Sequence, residues 1–105
     1  MIEKWMDDDE SVTLQDKAFL WIKTPMTMNG IWALIYLTNK RFYVKDRLLR
    51  IRAAEFSLSS ITSLTSDHKH LHVSGYFKNK PHTISIRLKD IDDSWEWMMR
   101  QKIKK

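Results

Sequence analysis

The stretch G-I-W-A-L-I-Y-L-T-N-K-R-F-Y-V at residues 30–44 decides the fold of this chain. Residues 31–37 are apolar at every position, which is typical of a strand buried on both faces. The triplet T-N-K at residues 38–40 is a turn signal, and Phe42 and Val44 then alternate with Arg41, Tyr43 and Lys45. The sequence therefore predicts a β-hairpin centred near Asn39.

Short strands with the same period of two lie on both sides of this hairpin. Apolar positions in residues 12–22 predict strand structure that ends in a loop over residues 24–30. Residues 56–64 have apolar positions separated by Ser and Thr, and we expect a kink at Ser59 and Ser60. Two further strands are expected around residues 71–73 and 84–88, with a turn at residues 79–81 between them.

The last fifteen residues change to the period of a helix. Asp90 is predicted as the N-cap of a helix over about residues 91–104, with Asp93 in a capping-box-like position. Trp97 lies on the opposite side of the predicted helix from the apolar residues. The apolar stripe consists of Ile91, Trp95, Met98, Met99 and Ile103. This pattern predicts an amphipathic helix that docks on a sheet.

Length and composition restrict the class of protein. A chain of 105 residues, of which 43% are hydrophobic, has room for one compact domain with a core. The absence of cysteine excludes a disulfide framework, a thiol nucleophile and Cys-ligated zinc, and it fits a reducing compartment. The apolar run at residues 31–37 is far shorter than the roughly twenty residues of a membrane-spanning helix. The acidic start does not resemble a signal peptide. We expect a cytoplasmic protein, peripheral at the membrane if it binds lipid.

The formal net charge of +5 hides opposed blocks. Residues 1–16 carry a net charge of −5, residues 40–52 carry +5, and residues 96–105 carry +3. We name residues 1–9 the acidic arm and residues 40–52 the basic segment. The acidic N-terminal region, whose net charge over residues 1–16 matches that of the basic segment, is predicted to fold over it and mask it, so that deletion of residues 1–9 would raise binding to anionic surfaces. The alternative is that the basic side chains form only a solvated strand face.

The stretch at residues 30–44 resembles the central motif of GRAM and bacterial PH-like domains, in which a Gly and an apolar strand lead into L-T-N-K/R-R and an aromatic strand. Residues 18–21 look like the preceding strand of that family, and residues 56–64 resemble its I-P-L-S-S-I-x-S-V strand. Trp95 matches the Trp of its C-terminal helix. The resemblance implies a seven-stranded, bent PH-like β-barrel or sandwich capped by the helix, with residues 10–105 as one domain. It also implies adaptor work, through lipids or through proteins.

The residues themselves favour a binding module over an enzyme. The sequence contains no Gly-rich phosphate loop, G-x-S-x-G elbow or H-E-x-x-H motif, and the start of a helix explains the adjacent Asp92 and Asp93. We therefore expect no catalytic residue, no cofactor and no small-molecule substrate. His68, His70 and His72 alternate as one strand face would require for a metal, but no acidic residue completes a ligand set. Solvated histidines without a metal are the expectation.

Two sets of residues are the candidate binding sites. The anionic-ligand set is Lys23, Lys40, Arg41, Lys45, Arg47, Arg50 and Arg52, and the protein-interface set is Met26, Met28, Trp97 and Arg100. Lys23 precedes the first loop, as a basic residue does in phosphoinositide-binding PH domains, whereas the alternating basic residues that follow the loop there are missing from residues 31–34.

We therefore expect protein–protein contact or homo-oligomerisation, including regulation or inhibition of a partner protein. Peripheral binding to anionic membrane lipid through the basic segment is the alternative. Nucleic acid is not an expected partner, because the sequence contains no helix-turn-helix, RNP-type motif or zinc finger. Trp97 is either an interface anchor or lies flat across a neighbouring loop or the acidic arm, for example against Trp5.

Overall fold

The structure is a computed structural model that describes residues 5–103 of the chain. It contains seven strands within that range, followed by one α-helix. They are β1 (Val12–Lys23), β2 (Met28–Thr38), β3 (Arg41–Asp46), β4 (Arg52–Ser57), β5 (Ile61–Ser66), β6 (His70–Phe77), β7 (Lys80–Arg87) and α1 (Ser94–Ile103). All strands belong to one antiparallel sheet of order β4-β3-β2-β1-β7-β6-β5. The mainly β fold with a C-terminal helix is confirmed, but the sheet is not closed into the predicted barrel.

The β1–β2 loop is shorter than predicted. Lys23 pairs with Met28, and the backbone N–H of Thr24 donates to the carbonyl oxygen of Thr27 at 2.8 Å, so the loop closes over residues 24–27. Gly30 was expected in that loop and instead lies in β2 opposite Trp21. A Cβ atom on Gly30 would come within 2.8 Å of the Trp21 ring, so glycine serves here for close approach rather than for a turn.

Two other predicted connections are found with small shifts. The 3-10 segment Leu58–Ser60 lies at the kink predicted for Ser59 and Ser60. The β6–β7 turn consists of Lys78 and Asn79, whose φ angles of 54° and 65° are those of a two-residue type I′ turn. Lys80 and Pro81 were expected in the turn and instead begin β7.

The helix begins later than predicted, at Ser94. Asp90 is not its N-cap, because the Asp90 carboxylate accepts the backbone N–H of Phe19 at 2.9 Å and the Nε–H of Arg87 at 3.0 Å. Burial raises the pKa of Asp90, but the Arg87 and Phe19 donors outweigh it and hold the pKa below its ordinary value. The carboxylate of Asp92 accepts the Ser94 backbone N–H at 2.8 Å instead. Residue 104, the predicted helix end, lies outside the described residues.

The core lies between the bent sheet and α1. Trp95 and Met99 are buried, as the apolar stripe predicted, and the Trp95 ring meets the Phe42 ring edge to face at 6.3 Å between centroids. The Trp95 Nε1–H donates to Asp16 Oδ2 at 3.2 Å, which satisfies the polar atom of this buried side chain. Trp97, on the other side of the helix, is 61% exposed.

Candidate functional site

Three connections follow strand ends that point to the same side of the antiparallel sheet, and we call this side the loop end. They are the β1–β2 loop (24–27), the β3–β4 loop (47–51) and the β6–β7 turn (78–79). A cavity of about 630 Å³ lies between the first and the third, lined by Thr24, Pro25, Met26, Thr27, Phe77, Lys78, Lys80 and His82. The Arg52 guanidinium lies over the Phe77 ring at 5.1 Å, so the start of β4 contacts the end of β6.

Hydrogen bonds to Asp46 order the β3–β4 loop. Its carboxylate accepts the backbone N–H groups of Leu48 and Leu49, both at 2.9 Å, and its carbonyl oxygen accepts that of Arg50 at 2.8 Å. Arg50 adopts a φ of 58°, which turns the chain back toward β4. Because these backbone N–H groups donate to Asp46, the side chains of the loop are not needed to cap them and can face solvent. Leu48 is 88% exposed.

Large apolar side chains are concentrated at the loop end. Met26 is 90% exposed, and four more are at least half exposed: Met28, Leu48, Leu49 and Ile51. A single exposed Leu is ordinary on a protein surface, whereas a group of apolar side chains on neighbouring loops marks an interaction site. Met26 and Met28 came from the predicted interface set; the two Leu residues and Ile51 were not predicted.

The same segments are basic. Residues 23–28, 47–52 and 77–82 contain six basic residues and no acidic one. They are Lys23, Arg47, Arg50, Arg52, Lys78 and Lys80. Arg52 forms an ion pair with Glu55 at 3.2 Å, while Arg47 and Arg50 have no ion pair among residues 5–103. Among the described residues, the loop end therefore presents more basic than acidic side chains around its apolar ones, with Asp46 at the base of the β3–β4 loop and Glu55 paired with Arg52.

A second cluster lies where residues 5–10, which we call the N-terminal clip, contact the β2–β3 turn. The Glu10 side chain is fully buried; it accepts the Thr38 hydroxyl at 2.6 Å and the Arg41 Nη2–H at 2.8 Å. Lys40 Nζ donates to Asp7 at 3.0 Å and to Asp9 at 2.7 Å. The N-terminal clip therefore forms ion pairs with Lys40 and Arg41, the first two residues of the basic segment.

Aromatic stacking adds to the clip. The Trp5 ring lies parallel to the Tyr43 ring at 3.9 Å between centroids and meets Tyr36 edge to face at 5.3 Å. Tyr43 is consequently buried, although its strand period placed it on the polar face. Trp5 lies on the β2–β3 hairpin and Trp97 is well exposed, so the alternative in which these two indoles pack together is wrong.

The structure thus divides the predicted anionic-ligand set. Lys40 and Arg41 are ion-paired at the clip. Hydrogen bonds to Asp9 and then to Asp7 raise the pKa of Lys40, and the bond from Lys40 lowers the pKa of Asp9, so this pair is charged at neutral pH. Lys45 is half-buried within β3. The other four members, Lys23, Arg47, Arg50 and Arg52, are exposed at or beside the loop end.

Among the described contacts of residues 5–9 with the basic segment, the basic side chains involved are therefore Lys40 and Arg41, and Trp5 covers the Tyr43 ring between the strand ends. Residues 1–4 of the acidic arm lie outside the described residues.

The three histidines do not all share the strand face that a metal would require. His68 lies in the β5–β6 loop, whereas the His70 and His72 rings stack on β6 at 5.9 Å. His72 contacts Asp67 through Nε2 at 2.9 Å and the Ser85 hydroxyl through Nδ1 at 2.7 Å. The His72 hydrogen bond, followed by two backbone N–H donors, holds the pKa of Asp67 well below its usual range. Over residues 5–103, no group of three or more His, Cys, Asp or Glu side chains is arranged for a metal ion.

Comparison with known proteins found no matching family model and no matching curated protein. Among the described residues, no helix is long and apolar enough to cross a membrane.

The loop-end residues that sequence reasoning missed are Leu48, Leu49, Ile51, Lys78 and Lys80. The sequence pattern could have indicated the first three, because R-L-L-R-I-R at residues 47–52 interleaves basic and apolar side chains next to a hairpin strand. Lys78 and Lys80 flank Asn79 in the β6–β7 turn, and only the topology of the sheet brings that turn beside the first loop.

Proposed function

We propose that this protein is a non-catalytic binding module of the PH-like (GRAM) type, which docks on anionic membrane surfaces through its loop end. One observation carries the proposal: exposed apolar side chains at the loop tips lie among basic side chains, without an acidic residue in those segments. An anionic bilayer presents the complementary order, with negative headgroups above hydrocarbon.

The shape of the loop end favours a bilayer as the occupant. Met26 and Leu48 are close to fully exposed at the tips of two separate loops, so they project rather than line a flat patch. A bilayer accepts each projecting side chain separately, whereas a protein surface would need a matching pocket for each. Each basic residue near an anionic surface contributes about 1 kcal/mol, which is sufficient for reversible docking by the exposed arginines and lysines.

The exposed Trp97 favours a second candidate function, contact with a protein partner or self-association. Trp97 and Arg100 lie on α1, which contacts the 3-10 segment Leu58–Ser60 at the opposite end of β4 from the β3–β4 loop, so this function and membrane docking use different surfaces. The solution masses of the wild type and of Trp97→Ala test self-association. If Trp97 anchors an assembly, the wild type should have the mass of an oligomer and the variant the mass of a monomer.

Sedimentation with lipid vesicles tests membrane docking. The protein should sediment with phosphatidylcholine vesicles that contain phosphatidylserine, and binding should weaken in high salt because exposed charges are screened. Vesicles of phosphatidylcholine alone should retain little protein. Equal binding to both vesicle types, or no dependence on salt, would contradict the proposal.

Charge-reversal variants locate the docking surface. The double variant Arg47→Glu/Arg50→Glu changes two exposed side chains that have no ion pair within residues 5–103, and it should weaken binding at least about 30-fold, from roughly 1 kcal/mol for each basic residue lost. Lys17→Glu/Lys89→Glu is the matched control, since it makes the same change of net charge at two exposed positions outside the loops. If both double variants lose binding equally, net charge rather than the loop end attracts the vesicles.

A further inference from the structure

The side of the sheet opposite the core carries aromatic side chains. We name the outward-pointing residues of β1, β2, β3, β6 and β7 the outer face. Ala18 and Leu20 are buried in the core, so Phe19 and Trp21 point outward. The Phe19 ring contacts the indoles of Trp21 and Trp32 edge to face, and these are 37% and 48% exposed. The water-facing side of an antiparallel sheet is usually polar, so exposed rings here indicate a binding surface.

One part of the outer face already holds a stacked ring. The Trp5 indole lies parallel to the Tyr43 ring at 3.9 Å between centroids, and Tyr36 and Tyr43 are buried. Trp21 and Trp32 keep their exposure. The outer face therefore accepts flat rings by stacking, and the part around Trp21 and Trp32 is open to a ligand.

A narrow slot opens in this part of the outer face. It is a cavity of about 210 Å³ lined by Trp21, Lys23, Met28, His70, His72 and Ser85. Ser85 on β7 pairs with Trp21 on one side and with His72 on the other, so it forms the floor between them. The Ser85 hydroxyl and Asp67 contact the two nitrogens of the His72 ring at 2.7 and 2.9 Å, which fixes this wall before a ligand binds. The slot is smaller than a drug-sized pocket and suits one planar ring.

A basic cavity adjoins the slot at His70. It has a volume of about 320 Å³ and is lined by His68, Lys69, His70, Arg87, Leu88 and Lys89. Arg87 is already paired with Asp90 at 3.0 Å, whereas the two lysines are exposed and form no ion pair with any of residues 5–103. The basic residues outnumber the nearby carboxylates of Asp67 and Asp90, and Lys23 adds a further positive charge at the slot.

We propose that the outer face of the sheet is a binding site for single-stranded nucleic acid. One base would occupy the slot, and a phosphate beside it would contact Lys69 and Lys89. A neighbouring base would stack on Trp32. Proteins that bind single strands without sequence preference combine these two features, aromatic side chains that stack on bases and basic side chains along the backbone. No linear motif indicates the site, because β1, β6 and β7 bring its residues together from separate parts of the chain.

A ring-sized slot beside a basic cavity favours nucleic acid over other occupants. A bilayer accepts projecting side chains, whereas the slot is recessed. In a two-fold pairing of outer faces, a second copy of this chain would bring its own basic cavity against the first, and like charges would repel. A free nucleotide would leave Trp32 without a partner.

An abasic strand separates stacking from charge. A fluorescent oligothymidylate and an abasic strand of the same length carry the same phosphates, and their binding is measured by fluorescence anisotropy. The oligothymidylate should bind at least about 30-fold more tightly, from about 1 kcal/mol for each of two stacked bases. Equal binding of the two strands would show attraction by charge alone and would overturn the proposal. Thymidine monophosphate that binds as tightly as the strand would contradict it too.

Tryptophan variants locate the stacked base. Trp21→Ala should weaken oligothymidylate binding at least about fivefold, and Trp21→Phe, which keeps a ring, should restore most of it. Trp97→Ala is the matched control, since it removes an exposed indole from α1 and should leave binding unchanged. All three variants should bind the abasic strand as the wild type does. If Trp21→Ala and Trp97→Ala have equal effects, the slot is not the site.

Lysine variants locate the phosphate. Each phosphate contact of a single strand contributes about −0.7 to the slope of the logarithm of the binding constant against the logarithm of the salt concentration. Lys69→Ala/Lys89→Ala should therefore reduce the slope by about 1.4. Lys78→Ala/Lys80→Ala changes two exposed lysines in and beside the β6–β7 turn and should leave it unchanged. The opposite result would move the strand to the loop end and contradict the proposal.

NMR of the wild type tests the site without any variant that could fail to fold. The indole N–H signals of Trp21 and Trp32 should shift when oligothymidylate is added, whereas those of Trp95 and Trp97 should not. A shift confined to Trp97 would place the strand on α1 and overturn the proposal. If the wild type is a dimer that Trp21→Ala dissociates, the slot serves a second copy and the proposal is wrong.

Discussion

The two ends of β3 show two uses of the same basic segment. At the N-terminal clip, Lys40 and Arg41 are paired with carboxylates of residues 7–10, and the buried Glu10 joins Arg41 to Thr38. At the loop end, Arg47 and Arg50 have no ion pair among the described residues and lie beside exposed apolar side chains. The difference teaches that a run of basic residues is not one site. The placement of the carboxylates decides which charges are structural and which are available to a ligand.

The largest effect is expected from Glu10→Ala at the clip. This change removes the buried carboxylate that accepts from Arg41 and Thr38, while Arg41 keeps Glu55 at 3.1 Å, so stability should fall by about 3 kcal/mol, the upper end of the range for buried donors left unpaired. Urea denaturation measures the loss. Vesicle binding of the folded variant should stay at the wild-type level, because the clip is remote from the loop end.

Glu10→Gln is the control for this experiment, since it keeps the shape and a hydrogen-bond acceptor and should cost less than the alanine variant. A Glu10→Ala protein of unchanged stability would mean that the clip is not structural. Impaired vesicle binding by the folded variant would mean that the two ends are not independent.

A smaller effect is expected from Leu48→Ser/Leu49→Ser at the loop end. Half-burial of a Leu side chain stabilises by roughly 1 kcal/mol, so the double variant should bind anionic vesicles about 30-fold more weakly. Its stability should be unchanged, because both side chains are exposed in the folded protein. Trp97→Ser, which removes another exposed apolar side chain away from the loops, should leave vesicle binding intact.

The smallest effect concerns the Lys40–Asp9 pair. Because Lys40 lowers the folded-state pKa of Asp9, the stabilising contribution of this carboxylate is present above the ordinary aspartate value of about 3.9 and is lost as the pH falls through the lowered pKa. NMR titration of the Asn39 side-chain amide, which donates to the Asp9 carbonyl oxygen, should report this acid transition.

Asp9→Asn should remove the acid transition at Asn39 and leave the urea midpoint essentially unchanged, because this pair is exposed. A transition that persists in Asp9→Asn would belong to another carboxylate.

The sequence predicted the strands and the helix well and predicted the residues at which they begin and end less well. The apolar run at residues 31–37 and the T-N-K turn predicted β2, β3 and their connection, since both signals are local. Gly30 was assigned to a loop because its strand position depends on the Trp21 and Phe19 rings. Asp90 was assigned as a helix cap because its partner, the N–H of Phe19, is 71 residues away in the chain.

The candidate site was predicted in part. Basic residues 47–52 were identified from charge alone, but their separation from Lys40 and Arg41 depends on where the clip lies. Leu48 and Leu49 were missed because two apolar residues beside a strand are equally typical of side chains buried in the protein core. Stacking of Trp5 on Tyr43 joins residues 38 positions apart, and no local pattern indicates it.

The central claim, that the loop end enters an anionic bilayer while the clip end faces water, is tested most directly by site-specific spin labels. The chain contains no cysteine, so Leu48→Cys and Asp8→Cys each accept a single nitroxide at an exposed position. On vesicles that contain phosphatidylserine, the label at residue 48 should become accessible to lipid-soluble oxygen and protected from a water-soluble nickel chelate, while the label at residue 8 keeps its solution accessibility. A label at residue 48 that stays in water on protein-bound vesicles, or a label at residue 8 that enters the bilayer, would contradict the account.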